Sequence, residues 1–158
     1  MRRVDRLALL DTSMYADTAA RTQQRQALSR AASISGSFSG ISQNLLASYV
    51  HPDRLGDIAL TERIREMTQR VGRDEFLRQN AMERPDGREI LSKVLCPSLV
   101  LCGHDDQITP RAIHEEMAAL MPRARLRTVE ACGHMAPMER PDQVSVALRD
   151  WLQIDPAA

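Results

Sequence analysis

The final third of the chain alternates between short apolar runs and helix-forming runs, and this alternation most constrains the fold. The run Cys96–Cys102 is apolar and stops at Gly103, which predicts a buried strand. A helical pattern begins at Pro110, a second strand is predicted at Leu126–Val129, and a last helix begins at Pro141. Strands that alternate with helices form parallel sheets with right-handed crossovers, so the sequence predicts an α/β fold.

A long helical segment separates this region from one earlier strand. The apolar run Val4–Leu10 predicts a buried strand that ends at a polar loop. Apolar residues recur at helical spacing over Leu60–Val71, and Gly72 is expected to end that helix. We therefore divide the chain into a first core strand with its loop (1–13), a helical lid or cap (14–94) and a C-terminal core (95–158).

Composition and charge exclude several functional classes. Of the 158 residues, 43% are hydrophobic, and 21 basic residues balance 21 acidic ones. A chain without net positive charge lacks the field that binding to nucleic acids or anionic membranes usually needs. Three cysteines do not make a disulfide scaffold, and no apolar run approaches the roughly 20 residues that cross a bilayer. We expect a soluble, cytoplasmic protein that binds neither nucleic acid nor membrane.

Two loops that follow predicted strands carry the side chains best suited to chemistry. Asp106 follows the first of these strands and His134 follows the second. Because the carboxyl ends of parallel strands meet at one edge of a sheet, the two side chains are expected to meet. A carboxylate at the imidazole Nδ1–H fixes the tautomer and stabilises the imidazolium that proton transfer creates. The alternatives are a turn-capping Asp106 and a loop histidine without a catalytic role.

The order of these motifs resembles the C-terminal part of the α/β-hydrolase fold. His134 follows Asp106 by 28 positions, and the segments 51–54 and 84–86 resemble parts of the family's cap. The resemblance implies a partial α/β-hydrolase fold, with three parallel strands flanked by helices and a helical cap inserted between the first two. It rests chiefly on three motifs: Gly103-x-x-Asp106, Gly133-His134 and Glu139-x-Pro141.

The same resemblance implies hydrolysis of small esters, lactones or related carbonyl compounds by a serine-type mechanism. Asp106 would be the triad acid and His134 the general base, with no cofactor and no metal. The family's nucleophile lies in a Gly-x-Ser-x-Gly turn. The nearest sequence here is the segment 36–40, which is centred on Phe38. We therefore expect a chain that is truncated relative to the family and inactive alone, so its status as an enzyme stays open.

Two alternatives come from other functional classes. Cys-Gly-His occurs at 102–104 and again at 132–134, and two thiolates with two imidazoles would suit tetrahedral Zn²⁺. A non-catalytic module that binds a partner or itself is the other alternative, because the strand Val4–Leu10 would present an unpaired apolar edge. The expected partners are a small-molecule substrate, a second copy of the chain in a homo-oligomer, or a complementing N-terminal half.

Overall fold

Three parallel strands form one sheet in the computed structural model, which describes residues 4–34 and 38–154. The strands lie in the order β1 (Leu7–Leu10), β2 (Ser98–Gly103) and β3 (Ala124–Val129). The predicted α/β class with three parallel strands is confirmed. The first strand is shorter than the apolar run Val4–Leu10, because pairing with β2 begins only at Leu7 and leaves Val4 exposed.

Helices connect and flank these strands. In residues 4–34 and 38–154, four α-helices and one 3₁₀ turn lie between β1 and β2, one helix lies between β2 and β3, and two follow β3. They are α1 (Ala19–Ile34), α2 (Gln43–Tyr49), the 3₁₀ turn Pro52–Arg54, α3 (Ile58–Ala81), α4 (Arg88–Leu91), α5 (Arg111–Leu120), α6 (Ala136–Glu139) and α7 (Pro141–Leu152).

Gly72 interrupts α3 where the sequence predicts a helix end. Its backbone has φ 75° and ψ 165°, a conformation that glycine adopts without a steric penalty. The expected apolar stripe is buried only in the first part of this helix. Leu60 and Ile64 are buried, whereas Met67 and Val71 are exposed, so α3 packs mainly through its N-terminal half.

The core lies on both faces of β2, which is buried along its whole length. Leu99 and Leu101 pack with α7, including Trp151, while Val100 packs on the opposite face with Met117 of α5. Successive side chains of a strand point to opposite faces, and burying one Leu or Val side chain contributes about 1.5–3 kcal/mol. Burial on both faces therefore stabilises the sheet and fixes the positions from which the loops after its strands begin.

A separate apolar cluster forms within the helical segment between β1 and β2. Leu46, Val50, Leu60 and Ile64 make up its buried centre. Met135, directly before the short α6, and Met138, within it, pack against this cluster. The helical segment is thus in direct contact with the loop that carries His134. Within the described residues no helix is both long and apolar enough to span a membrane.

Candidate active site

The loops after β2 and β3 approach each other so closely that only glycine fits at position 103. A Cβ there would lie 2.1 Å from the carbonyl oxygen of Gly133 and 2.4 Å from that of Cys132. Two backbone hydrogen bonds join the loops, from His104 N to Val129 O and from Asp105 N to Cys132 O, both 2.9 Å. This contact sets the distance between the two predicted site residues.

Asp106 is a buried carboxylate whose two oxygens both accept hydrogen bonds. Oδ1 accepts the N–H groups of Ile108 (2.8 Å) and Thr109 (3.0 Å), so the residue does cap a turn. Oδ2 accepts the Thr109 hydroxyl at 2.8 Å and lies 2.9 Å from His134 Nδ1. Burial acts to raise the pKa of Asp106, but the hydrogen bonds from His134 and Thr109 outweigh it and lower the pKa below its usual value. Asp106 is therefore ionised and accepts from His134.

His134 presents one ring nitrogen to Asp106 and leaves the other uncommitted. Because an ionised carboxylate only accepts, Nδ1 must carry the proton. Within residues 4–34 and 38–154, Nε2 makes no hydrogen bond. The backbone N–H of His134 donates to Tyr49 O at 2.8 Å, and the Tyr49 ring meets the imidazole edge-on, with centroids 5.1 Å apart. The structure thus brings the predicted pair together in the geometry of a base with its orienting acid.

Asp11 is a further acidic residue at the site that was not among the predicted site residues. It follows β1 directly, with a positive φ of 45°. Oδ1 accepts the Gly103 N–H (3.3 Å) and Oδ2 accepts the Ala136 N–H (3.0 Å). Burial raises its pKa to about 7, although the hydrogen bond from Ala136 and the proximity of His134 act in the opposite direction. Asp11 therefore joins the end of β1 to the end of β2 and to the start of α6, which follows the His134 loop. An acid directly after an apolar run was the available signal.

The helical segment between β1 and β2, which we refer to as the cap, contacts the loop that carries Asp106 as well. His51 Nε2 lies 3.5 Å from Asp105 Oδ2, and Arg21 donates to Ile108 O at 3.0 Å. Asp105 therefore faces the cap, whereas its neighbour Asp106 faces His134. The two adjacent acids therefore have different partners.

The two Cys-Gly-His sequences do not form a zinc site. Cys102 and Cys132 are fully buried, and burial raises the pKa of their thiols to about 11 and about 12. Among the described residues, no group of three or more His, Cys, Asp and Glu side chains could hold a metal ion. The zinc hypothesis is wrong for this part of the chain, because the shared glycines serve close backbone packing and the thiols belong to the core.

Comparison with known protein families shows which family this chain belongs to. A model of the α/β hydrolase fold matches residues 3–141. The chain belongs to the α/β-hydrolase fold family. The predicted resemblance is therefore confirmed, whereas the segment 36–40, the nearest approach to the family's nucleophile turn, lies partly outside the described residues.

Individual α/β-hydrolases are similar to parts of this chain. A thermophilic esterase from Thermogutta terrifontis superposes on 96% of it with a TM-score of 0.83 and 28% identity, and the chain covers 56% of that structure. Pimeloyl-[acyl-carrier protein] methyl ester esterase from Xanthomonas oryzae pv. oryzae is 37% identical over 71 residues, which are 45% of this chain and 28% of that protein. Proline iminopeptidase from Lactobacillus helveticus is 30% identical over 81 residues, 51% of this chain and 27% of that protein. The chain spans little more than half the length of the esterase structure, and its sequence matches cover about a quarter of these two relatives.

Proposed function

We propose that this chain supplies the acid and the base of a serine-type hydrolase of small esters, lactones or related carbonyl compounds. The observation that supports this proposal most directly is the 2.9 Å contact between Asp106 Oδ2 and His134 Nδ1. It commits Nδ1 to the acid and leaves Nε2 for proton transfer. The esterases and the iminopeptidase among the relatives support a carbonyl substrate.

In this proposal His134 acts first as a base and then as an acid. Nε2 takes the proton of a nucleophilic hydroxyl as it attacks the carbonyl carbon, and the ionised Asp106 stabilises the imidazolium that results. The same proton then passes to the leaving group. Proton transfer by a positioned side chain accelerates such reactions by about 10²–10⁴-fold. Thr109 contributes indirectly, because its hydroxyl and its N–H hold the carboxylate in place.

The nucleophile is proposed to come from a segment outside these 158 residues, which contain no Gly-x-Ser-x-Gly. The outer edge of β1 is the place where such a segment would join the sheet. Leu7 N and Asp11 N donate to Pro97 O and Leu101 O, towards β2. Since successive N–H groups of a strand alternate in direction, those of Ala8 and Leu10 face away from β2. Within the described residues β1 pairs with β2 alone.

The test is hydrolysis of p-nitrophenyl acetate and butyrate by the chain alone and together with an α/β-hydrolase N-terminal half that carries the Gly-x-Ser-x-Gly turn. We expect activity only in the combined sample, and its loss in His134→Ala. His104→Ala is the control, because His104 also follows a Cys-Gly pair but is exposed. Asp106→Asn is compared with Asp105→Asn in the same way. Equal activity of His134→Ala and His104→Ala would refute the assignment.

The open edge of β1 also supports a second candidate, self-association through this strand. Its four residues are only half-buried, and an unpaired strand edge is a template for pairing with another chain. Ala8→Pro removes an outward N–H without touching the bonds to β2, and Ala8→Val is the control. Sedimentation should show association in the wild type and the valine variant and a monomer in the proline variant. A wild-type monomer at all concentrations would exclude this candidate.

A further inference from the structure

Glu139 is a fully buried carboxyl group that the acid–base pair does not include. Its oxygens accept three backbone N–H groups. Oε1 accepts from Gly133 at 3.0 Å and from Met135 at 3.1 Å, and Oε2 accepts from His51 at 2.7 Å. A buried carboxyl group is costly unless hydrogen bonds satisfy it, and here all of these partners belong to two segments of backbone.

The first of these segments is the loop that carries His134. Gly133 and Met135 flank the histidine on both sides, and one oxygen of Glu139 holds both of their N–H groups. The N–H of His134 itself donates to Tyr49 O in the cap. Three successive N–H groups are therefore fixed, which sets the backbone at His134 and hence the direction in which its side chain leaves the chain.

The second segment is the turn of the cap at His51, and it packs against the same point. A Cβ at position 133 would lie 2.7 Å from Tyr49 O, 2.8 Å from His51 N and 3.1 Å from Glu139 Oε1. The cap, the histidine loop and the carboxyl group thus meet without spare space. Displacement of any one of them must displace the others.

We propose that Glu139 is a positioning residue, whose two oxygens join the His134 loop to the cap turn and so hold the imidazole against Asp106. This inference rests on the proposed role of His134 as the base. Catalytic groups must keep their geometry closely, since a displacement of about 1 Å can cost about 10²-fold in rate. Glutamine cannot accept all three hydrogen bonds, because its NH₂ group is a donor and would face a backbone N–H, which is also a donor.

The test follows the Nδ1 proton of His134 by ¹⁵N-resolved NMR in the wild type, in Glu139→Gln and in Glu115→Gln. Glu115 is a half-exposed glutamate of α5 paired with Arg111, so it serves as the control. The resonance is assigned by its loss in His134→Ala. We expect its exchange with water to be about tenfold faster or more in Glu139→Gln and unchanged in Glu115→Gln. Exchange within about twofold of the wild type in Glu139→Gln overturns the proposal.

A further measurement separates positioning from general damage to the fold. The ring of His114 is buried and held by Thr12 N (3.0 Å) and Pro110 O (3.4 Å), so its resonance reports the core. We expect this resonance to be unchanged when that of His134 changes. Equal changes in both would show a structural role only and overturn the proposal.

A second pair of variants applies even if Glu139→Gln does not fold. His51 has φ −57° and follows an extended Val50, so the backbone at position 51 admits proline. Proline removes the donor to Oε2 and the side chain, and its Cδ occupies the place of the N–H and pushes Oε2 away. His51→Ala removes the side chain and keeps the donor. Faster exchange of the His134 proton in His51→Pro than in His51→Ala supports the proposal, and equal exchange overturns it.

Activity of the combined enzyme distinguishes this inference from the proposed function. We expect Glu139→Gln to lower kcat about tenfold or more while KM changes by less than about twofold. If His134→Ala keeps full activity, the base assignment fails whatever the NMR shows. If His134→Ala is inactive and Glu139→Gln is fully active, only the positioning role fails.

Discussion

Replacing Gly103 by alanine tests whether the contact between the two strand-end loops is as tight as the structure shows. The new methyl group would lie 2.1 Å from Gly133 O and 2.4 Å from Cys132 O, far inside van der Waals contact. Both obstacles are backbone atoms, so no flexible side chain can move aside. The loops must separate by about an ångström for the methyl group to fit.

The cost follows from the bonds that this separation would strain. Asp105 N donates to Cys132 O, and His104 N donates to Val129 O. Overpacking a well-packed site costs about 1–3 kcal/mol, and each backbone hydrogen bond lost adds about 1 kcal/mol. We therefore expect Gly103→Ala to lower the free energy of unfolding by about 3–5 kcal/mol.

Urea unfolding followed by the fluorescence of Trp151 measures this change. Trp151 is the single tryptophan of the chain, and it is buried against Leu99 and Leu101. The control is Gly56→Ala, because a Cβ at position 56 would have no atom within 4 Å. If the two alanine variants unfold at the same urea concentration, the loops can separate freely and the reasoning about the site's rigidity is wrong.

Two other predictions concern ionisable groups inside the fold. The pKa of Asp11 rises from 3.8 to about 7 on folding, so its contribution to stability is complete below pH 3.8 and is lost as the pH rises through 7. Asparagine does not titrate, so the stability of Asp11→Asn minus that of the wild type should rise by a few kcal/mol from pH 5 to pH 8 in urea titrations. A difference that stays constant with pH would contradict the raised pKa. The thiols of Cys96, Cys102 and Cys132 are buried, and the pKa values of the last two are raised, so a disulfide reagent at pH 8 should label them only after unfolding. Rapid labelling of the native chain would show that the strand ends open.

The sequence was sufficient to predict the sheet and the Asp106–His134 pair, because parallel topology alone brings successive strand ends to one edge. It was not sufficient for Asp11 and Glu139. Their partners are backbone N–H groups, and Asp11 lies 125 positions from one of them, Ala136. An acid directly after an apolar run and the Glu139-x-Pro141 motif mark the two residues, but no pattern in the sequence shows which backbone groups they contact. The zinc hypothesis failed for a related reason: a glycine needed for close packing looks the same in a sequence as a glycine in a metal-binding loop.

The contact between the cap turn and the histidine loop restricts how the helical segment between β1 and β2 can be replaced. Surface connections generally tolerate insertion and deletion better than the core does. Here, however, Tyr49 and His51 supply hydrogen bonds to His134 and Glu139. A grafted segment that replaced this turn would remove hydrogen bonds that hold the backbone on both sides of His134. Exchange is best confined to the part of α3 that follows Gly72, because Leu60 and Ile64 in its first part pack with Met135 and Met138. Residues 49–51 are then inherited with the His134 loop.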